Sequence, residues 1–255
     1  MKKIDTLVIA AGGKSERLAK YFESINFRNT KTLFPIKQGK PTLWYLIEAA
    51  IENGYKRIFV LVSFYSREIE YFVNKFYKNS NIVVVPGGEQ GRKIGVTKVL
   101  SFIEGELSRP FIYSDGDIFF EPDLLNKLSN CKLADKVLMD CVISPEDIAS
   151  THSQFIIKNG ILTEINVRCE GSINESKNAF CSLGLMIISD KIFKQIPEYK
   201  NIGDLDLVVK KIFEIDPQGV GFYAYKDEWL SIHKKDDIDK IERGEYNNLF
   251  SSLKK

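Results

Sequence analysis

Short apolar runs alternate with amphipathic segments along the first half of the chain. The apolar runs are Ile4–Ala11, 57–63 and 81–86, and each has the length and composition of a buried parallel strand. Amphipathic spacing predicts helices at 41–54 and 66–77, with inward faces of Leu43, Leu46, Ile47 and Ala50 and of Ile69, Phe72, Val73 and Phe76. Strands that alternate with helices predict an α/β fold with a doubly wound, mostly parallel sheet.

The second half mixes further strand patterns with one clear helix. Strands are predicted at 111–113, 136–143, 178–189 and 219–225, and a hairpin at 153–168 with Asn159 and Gly160 in its turn. The helix spans 204–216, with Leu205, Val208, Val209 and Ile212 inward. The stretch 19–29 is predicted to be a long loop that covers a site, and His152 is expected at the surface.

Glycines and cations follow the first strand. The strand end and the loop after it supply Ala10, Ala11, Gly12, Gly13, Lys14, Ser15 and Arg17. Backbone N–H groups of such a loop can surround a phosphate, because glycine permits close approach and the cations add charge. The alternative is an ordinary strand-to-helix turn with solvated cations. A similar turn follows the third strand, with Pro86, Gly87, Gly88, Arg92 and Thr97.

Carboxylates stand at the end of the strand predicted at 111–113. Ser114, Asp115 and Asp117 come directly after it. Two carboxylates two residues apart can share a hard divalent cation such as Mg²⁺. The alternative is an N-terminal capping cluster for the helix that begins near Pro122.

These motifs resemble those of the nucleotidyltransferases. The glycine loop that ends in Arg17 and Leu18, the segment KTLFPIKQGKP at 31–41 and the pair Gly116 and Asp117 occur in the family's order. The loop GGKSER is one residue longer than the usual sugar-family form and is closer to that of the molybdenum-cofactor members. The resemblance implies a Rossmann-like nucleotide-diphospho-sugar transferase fold, in which Arg17 and Lys31 act on the phosphates in catalysis.

The same resemblance implies a nucleotide base and a metal site. Gly87, Gly88, Glu89 and Arg92 are similar to the base-binding turn of isoprenoid cytidylyltransferases, which favours CTP. The segment around Trp229 is similar to a family motif, Trp-x-Asp-Ile-Gly-Thr, whose aspartate binds metal, but Ser231 stands at that position. The implied Mg²⁺ ligands are therefore Asp117, Asp115 and Glu228, with Asp227 as the alternative to Glu228.

The acceptor side of the implied site is less defined. Arg168 and Lys177 are polar candidates beside the hairpin, and Gly184 matches a glycine that lines the family's sugar pocket. The expected organisation is a single domain over 1–255, with a nucleotide-binding half at 1–125 and an acceptor-binding half at 126–255 that carries a small β-hairpin subregion.

Composition limits the classes of partner. The 255 residues have 44% hydrophobic content and a formal net charge of +2, which favours a solvated surface over a nucleic-acid patch. The first apolar run is too short to cross a membrane. Four cysteines without C-x-x-C spacing fit free thiols in a reducing cytoplasm. Homodimerisation is left open.

The function that follows from the resemblance is transfer of a nucleoside monophosphate, with a lean to CMP from CTP. The acceptor is a phosphorylated small molecule, either a sugar 1-phosphate or another phosphomonoester such as an amino-bearing phosphate. Pyrophosphate is released, and the product serves cell-surface polysaccharide or related precursor synthesis. Two alternatives stay open: a non-catalytic nucleotide-binding regulator, suggested by Ser231, and a glycosyltransferase that uses a nucleotide sugar.

Overall fold

The computed structural model describes residues 3–78, 81–87, 94–107, 110–143, 152–167 and 178–251. The strands are β1 Thr6–Ala10, β2 Pro35–Lys37, β3 Lys40–Pro41, β4 Arg57–Val62, β5 Ile82–Pro86, β6 Phe111–Asp115, β7 Ile118–Phe120, β8 Leu138–Ile143, β9 Gln154–Lys158, β10 Ile161–Asn166, β11 Ala179–Ile188, β12 Val220–Ala224 and β13 Trp229–Ser231. The α-helices are α1 Ala19–Ser24, α2 Thr42–Glu52, α3 Ser66–Phe76, α4 Val96–Leu100, α5 Asp123–Ser129, α6 Lys191–Gln195, α7 Tyr199–Ile202, α8 Leu205–Ile215, α9 Lys235–Glu242 and α10 Asn247–Ser251.

One mixed sheet organises these elements. Its main path runs β10-β9-β11-β6-β1-β4-β5, and β8 pairs with β11 and β12 beside that path. The central strands β6, β1, β4 and β5 are parallel. Antiparallel pairing joins β11 to β6, β8 and β9. The predicted α/β fold with a mostly parallel central sheet is confirmed, and the antiparallel strands come from the second half of the chain.

Helices cover both faces of the sheet because side chains alternate along each central strand. Leu7 and Ile9 of β1 lie in one apolar cluster with Ile47 of α2 and Ile69 of α3. Val8 points to the opposite face, in a second cluster with residues of α4 and α8. The doubly wound arrangement predicted from the alternation of strands and helices is therefore present.

Two expectations about local structure are wrong. The stretch predicted as a loop at 19–29 begins with α1, because Phe22 is buried among the aromatic rings of Phe27 and Phe34. Phe76 is not inward: its side chain is 57% exposed, since Ile69 and Val73 are the buried residues of α3. The inward faces predicted for the helices at 41–54 and 204–216 are both buried.

The predicted hairpin is formed by β9 and β10. Its turn residues Asn159 and Gly160 have φ values of 52° and 76°, as a two-residue type I′ turn requires. Cys141 is a buried free thiol, and Cys181 is buried in β11. Along the described ranges, no helix combines the length and apolar character needed to cross a membrane.

Candidate active site

The ends of β1 and β6 bring the glycine loop and the carboxylate turn together. Ala10 pairs with Asp115 across these parallel strands, and the backbone N–H of Gly116 donates to the Ala10 carbonyl at 2.9 Å. A Cβ atom on Gly116 would lie 2.5 Å from that carbonyl oxygen. The Gly-Asp pair of the sequence motif thus places Asp117 beside the loop that follows Ala11.

The two glycines of the loop have different environments. Gly12 accepts hydrogen bonds from Phe64 N at 3.1 Å and Ser63 Oγ at 2.7 Å, and a Cβ atom there would overlap the Ser63 backbone. Gly13 is exposed, with open space where a Cβ atom would be. Gly12 therefore anchors the loop to the end of β4, while Gly13 faces outward.

The second glycine turn meets the same strand end. Gly87 N donates to the Val62 carbonyl at 2.6 Å, and Pro86 before it is exposed. The glycine loop and the described start of the predicted base turn, Pro86 and Gly87, therefore lie at the carboxyl edge of the parallel strands, where ligands of such sheets bind.

Lys31 is held beneath the glycine loop by its neighbours. Thr32 Oγ1 donates to the Ala11 carbonyl at 2.8 Å, and the Lys31 backbone N–H donates to Ser15 Oγ at 2.8 Å. Lys31 begins a short 3-10 helix, Lys31–Leu33, and its ammonium donates to Asp117 Oδ2 and, at 3.1 Å, to the Ile232 carbonyl. The predicted catalytic lysine and the predicted metal-binding aspartate are thus in direct contact.

Charge separates the pKa values of the two aspartates. Burial would raise the pKa of Asp117, but the Lys31 ammonium, with smaller contributions from His233 and then Arg17, lowers that pKa to about 2. Burial, followed by the charges of Asp117 and Asp206, raises the pKa of Asp115 to about 7. A hydrogen bond that the Tyr113 hydroxyl donates to this carboxylate at 2.8 Å acts in the opposite direction and lowers the pKa. Asp117 is therefore the permanent anion of the pair.

Gly184 lies directly against Asp115. Its φ is +78°, and a Cβ atom would stand 2.5 Å from Asp115 Oδ2. Its N–H donates to Ser182 Oγ at 3.1 Å, and the Ser182 hydroxyl contacts both oxygens of the buried Asp140 at 2.9 and 3.0 Å. The glycine predicted to line the acceptor pocket is thus brought next to the carboxylate turn.

Three other predicted site residues are not brought to this cleft as ligands. Thr97 is buried and accepts a hydrogen bond from Gly203 N at 2.9 Å. Ser114 is also buried, and its hydroxyl donates to the Asp115 carbonyl.

Glu228 lies away from Asp117 along the pair of strands β7 and β13. The next residue, Trp229, pairs with Phe120 at the far end of β7. Phe120 is about 10 Å along the strand from Asp117. Asp227 is turned toward Lys127, 3.5 Å away. Gly88, Glu89, Arg92, Arg168 and Lys177 lie outside the described residues.

Two histidines that the sequence did not assign to the site are part of it. His233 Nδ1 lies 3.5 Å from Asp117 Oδ2, and its Nε2 lies 3.1 Å from His152 Nε2. Burial lowers the pKa of both rings, that of His233 to about 3. The expectation that His152 is an isolated surface residue is wrong. The sequence does contain a signal for His233. In the motif that begins at Trp229, this histidine stands two residues after Ser231, at the position where the family has glycine.

The side chains around Asp117 are compatible with a divalent cation whose remaining ligands come from the phosphates of a substrate. In the described ranges, no group of three or more His, Cys, Asp or Glu side chains could hold a metal ion. Asp117 and Asp115 nevertheless follow one strand, and His233 Nδ1 is a buried nitrogen without a hydrogen-bond partner. Because Mg²⁺ commonly takes one or two carboxylates together with substrate phosphates and water, the two aspartates are compatible with it.

A scan against models of known protein families finds no match for this chain. The bifunctional protein GlmU of Methanococcus vannielii is 32% identical over 123 residues, a match that covers 48% of this chain and 27% of that protein. The chain thus spans only about a quarter of the length of the curated relative it matches.

Solved structures resemble the chain over nearly its whole length. The inositol-1-phosphate CTP transferase from T. maritima superposes with a TM-score of 0.73 at 18% identity, covering 95% of this chain and 98% of that one. A UDP-glucose pyrophosphorylase complexed with UDP-glucose gives 0.73 at 15% identity, covering 96% and 99%. A putative glucose-1-phosphate thymidylyltransferase from Bacillus anthracis gives 0.71 at 14%, covering 94% of each chain. The resemblance indicated by the motifs is confirmed: the structural neighbours are sugar-phosphate nucleotidyltransferases, and this chain has their fold.

Proposed function

We propose that this chain transfers a nucleoside monophosphate from a nucleoside triphosphate to a phosphorylated small molecule and releases pyrophosphate. The observation that carries the proposal is the contact between Lys31 and Asp117 beneath the glycine loop. It joins a phosphate-binding cation to a metal-binding anion at the edge of the sheet where nucleotides bind.

The acceptor phosphate attacks the α-phosphorus of the triphosphate in line, and pyrophosphate leaves from the opposite side. A phosphomonoester dianion is already a nucleophile, so no general base is required. Lys31 and Arg17 neutralise charge on the phosphates, and the N–H groups of the Gly12–Ser15 loop hold their oxygens. The chain's roles are thus positioning and electrostatic stabilisation.

Asp117, with Asp115 beside it, would hold the divalent cation. When bound, the cation supplies charge neutralisation for the triphosphate. The very low pKa of Asp117 keeps this carboxylate ionised at any physiological pH. Asp115 has a pKa raised to about 7, and a bound cation would favour its ionised form.

The nucleotide we propose is CTP, on the resemblance of the Gly87 turn to the base-binding turn of cytidylyltransferases. The structural neighbours are named for cytidine, uridine and thymidine nucleotides, and the inositol-1-phosphate CTP transferase supports this choice by its name alone. The acceptor class is a sugar or polyol phosphate or another phosphomonoester, and the product would feed nucleotide-sugar or related cell-surface precursor synthesis.

The test is a screen for pyrophosphate release. ATP, GTP, CTP, UTP and dTTP are each combined with a library of sugar, polyol and amino-bearing phosphates, with the Asp117→Asn variant as control. We expect acceptor-dependent release with CTP in the wild type and almost none in the variant. Triphosphate binding without turnover across the whole library would instead favour a regulator, and release of a nucleoside diphosphate from nucleotide sugars would favour a glycosyltransferase.

A further inference from the structure

The two histidines of the chain form one half-buried pair beside Asp117, although 81 positions separate them. Their Nε2 atoms are 3.1 Å apart, and the ring centroids are 5.1 Å apart at an interplanar angle of 67°. His152 Nδ1 lies 3.0 Å from the Ser182 carbonyl oxygen. A continuous series of contacts therefore links the backbone of β11 to the ring of His233.

This series fixes which nitrogen of each neutral ring carries the proton. A carbonyl oxygen only accepts, so His152 Nδ1 donates to Ser182 and His152 Nε2 is left as an acceptor. His233 Nε2 must then donate to it, and His233 Nδ1 keeps a free electron pair. The ring is thus oriented from the side opposite to Asp117.

The free nitrogen of His233 faces another electron-pair donor. It is buried and has no hydrogen-bond partner, and Asp117 Oδ2 stands 3.5 Å away. A buried nitrogen acceptor left unpaired is unfavourable. Two ligand atoms, each about 2.1 Å from one cation, stand about 3.0 Å apart at an octahedral angle and about 3.4 Å apart at a tetrahedral angle. The observed separation of 3.5 Å would therefore need to shorten only slightly for both atoms to bind one cation.

The geometry points to His233 Nδ1 as a further protein ligand of the divalent cation, beside Asp117 Oδ2, with His152 as the positioning residue that fixes the ring of His233. The inference rests on the proposed function for the role of that cation. It also accounts for Ser231, which lies opposite Ile118 and provides no anion, because the second ligand is a nitrogen two residues later.

The chemistry of the pair predicts the class of metal. Imidazole nitrogen suits transition metals, whereas Mg²⁺ prefers an all-oxygen environment. A ligating histidine ordinarily donates its other ring N–H to an acceptor that fixes the tautomer, and His152 fills that role here. Mn²⁺ or Co²⁺ is therefore expected to bind in preference to Mg²⁺, with phosphate oxygens and water completing the coordination.

Lys31 and the cation share Asp117. The ammonium contacts the same Oδ2 atom, so the bare protein has little negative charge to spare for a second cation. A polyphosphate brings that charge. Inorganic tripolyphosphate is thus a suitable probe, since it needs neither a known base nor a known acceptor.

The test is pulsed electron paramagnetic resonance of Mn²⁺ bound to the full chain with tripolyphosphate. Because the sequence contains only two histidines, labelling histidine with ¹⁵N must change the nitrogen coupling to Mn²⁺ if a ring is a ligand. We expect this coupling in the wild type, its loss in His233→Asp, and its retention with about tenfold weaker Mn²⁺ binding in His152→Gln. His233→Asp should also shift the preference from Mn²⁺ toward Mg²⁺.

Absence of Mn²⁺ binding, an all-oxygen signal in the wild type, or a nitrogen coupling that survives His233→Asp would overturn the inference. The labelled wild type shows whether a histidine is a ligand even if a variant fails to fold, which thermal unfolding reports, and loss of the coupling in either folded variant shows which histidine it is. Nitrogen coupling without turnover in the screen would remove only the proposed function, and turnover with all-oxygen Mn²⁺ would remove only this inference.

Discussion

Lys31 and Asp117 are 86 positions apart in the chain, and their side chains form an ion pair at the carboxyl edge of the central sheet. Lys31 comes from a short 3-10 helix tied to the glycine loop, and Asp117 comes from the turn after β6. The contact exists because Thr32 and Gly116 both hydrogen-bond to the end of β1, at Ala11 and Ala10. The residues proposed to bind phosphate and metal therefore meet at one strand end.

The first prediction concerns this ion pair. Lys31→Met should lower pyrophosphate release by about a hundredfold or more, since it removes the positive charge that, in the proposed function, neutralises the transferred phosphates. It should also raise the pKa of Asp117, because Lys31 is the main charge that lowers it. The matched control is Lys127→Met, which removes an exposed lysine paired with Asp123 at 3.3 Å. Equal activity losses in the two variants would contradict the assignment.

The second prediction separates the two loop glycines. Gly12→Ala should destabilise the protein by about 1–3 kcal/mol, because its Cβ atom would overlap the Ser63 backbone. Gly13→Ala has open space and should change the unfolding free energy by less than about 0.5 kcal/mol. Urea unfolding of both variants measures the difference.

If Gly13 faces the triphosphate, its alanine variant should still show a raised KM for that substrate. A Gly13→Ala enzyme with unchanged kinetics would remove this residue from the phosphate-binding loop while leaving the anchoring role of Gly12 intact.

The third prediction uses two glycines with nearly the same backbone. Gly184 has φ +78° and Gly160 has φ +76°, but only Gly184 has a neighbour, Asp115, in the way of a Cβ atom. Both alanine variants bear the cost of a left-handed residue, about 1–2 kcal/mol. Gly184→Ala should lose more stability and also activity, because Asp115 must move. Comparable stability and full activity in both variants would show that the contact with Asp115 is unimportant.

The fourth prediction is a pH dependence of stability. Burial, reinforced by the charge of Asp206, holds the pKa of Asp140 well above its usual value. The folded chain therefore binds a proton that the unfolded chain loses above pH of about 4, so this group lowers stability progressively as pH rises from there. Asp140→Asn removes that penalty and keeps a partner for Ser182.

Urea unfolding at acidic and at mildly alkaline pH checks this sign. The stability of Asp140→Asn relative to the wild type should increase with pH, whereas the exposed control Asp135→Asn should show little change. A relative stability that falls with pH would contradict the shift assigned to Asp140.

The sequence predicted the sheet and its main helices because their signals are local. Apolar runs such as 57–63 and the periodic face of Leu205, Val208 and Ile212 depend on a few neighbouring residues. Helix α1 was not predicted because it is short and buries little besides Phe22, whose aromatic partner Phe34 lies twelve residues further on. Phe76 was misplaced because helical spacing alone does not give the width of the buried face.

The site was predictable where family motifs name single residues. Arg17, Lys31 and Asp117 stand in such motifs, and the structure brings Lys31 into contact with Asp117. The histidine pair was not predictable, because it depends on β13 pairing with β7 and on the position of His152 just before β9. Glu228 is a predicted ligand because of its spacing in the sequence. The register of β13 against β7 does not bring Glu228 to Asp117.

The most direct test of the central claim follows the two ends of the triphosphate. Wild-type protein is supplied with its acceptor and with triphosphate labelled with ³²P at either the α or the γ position. The α-label should enter the acceptor adduct and the γ-label should appear as pyrophosphate, with both products lost in Asp117→Asn. Appearance of the γ-label as orthophosphate or on the acceptor would contradict nucleotidyl transfer at this site.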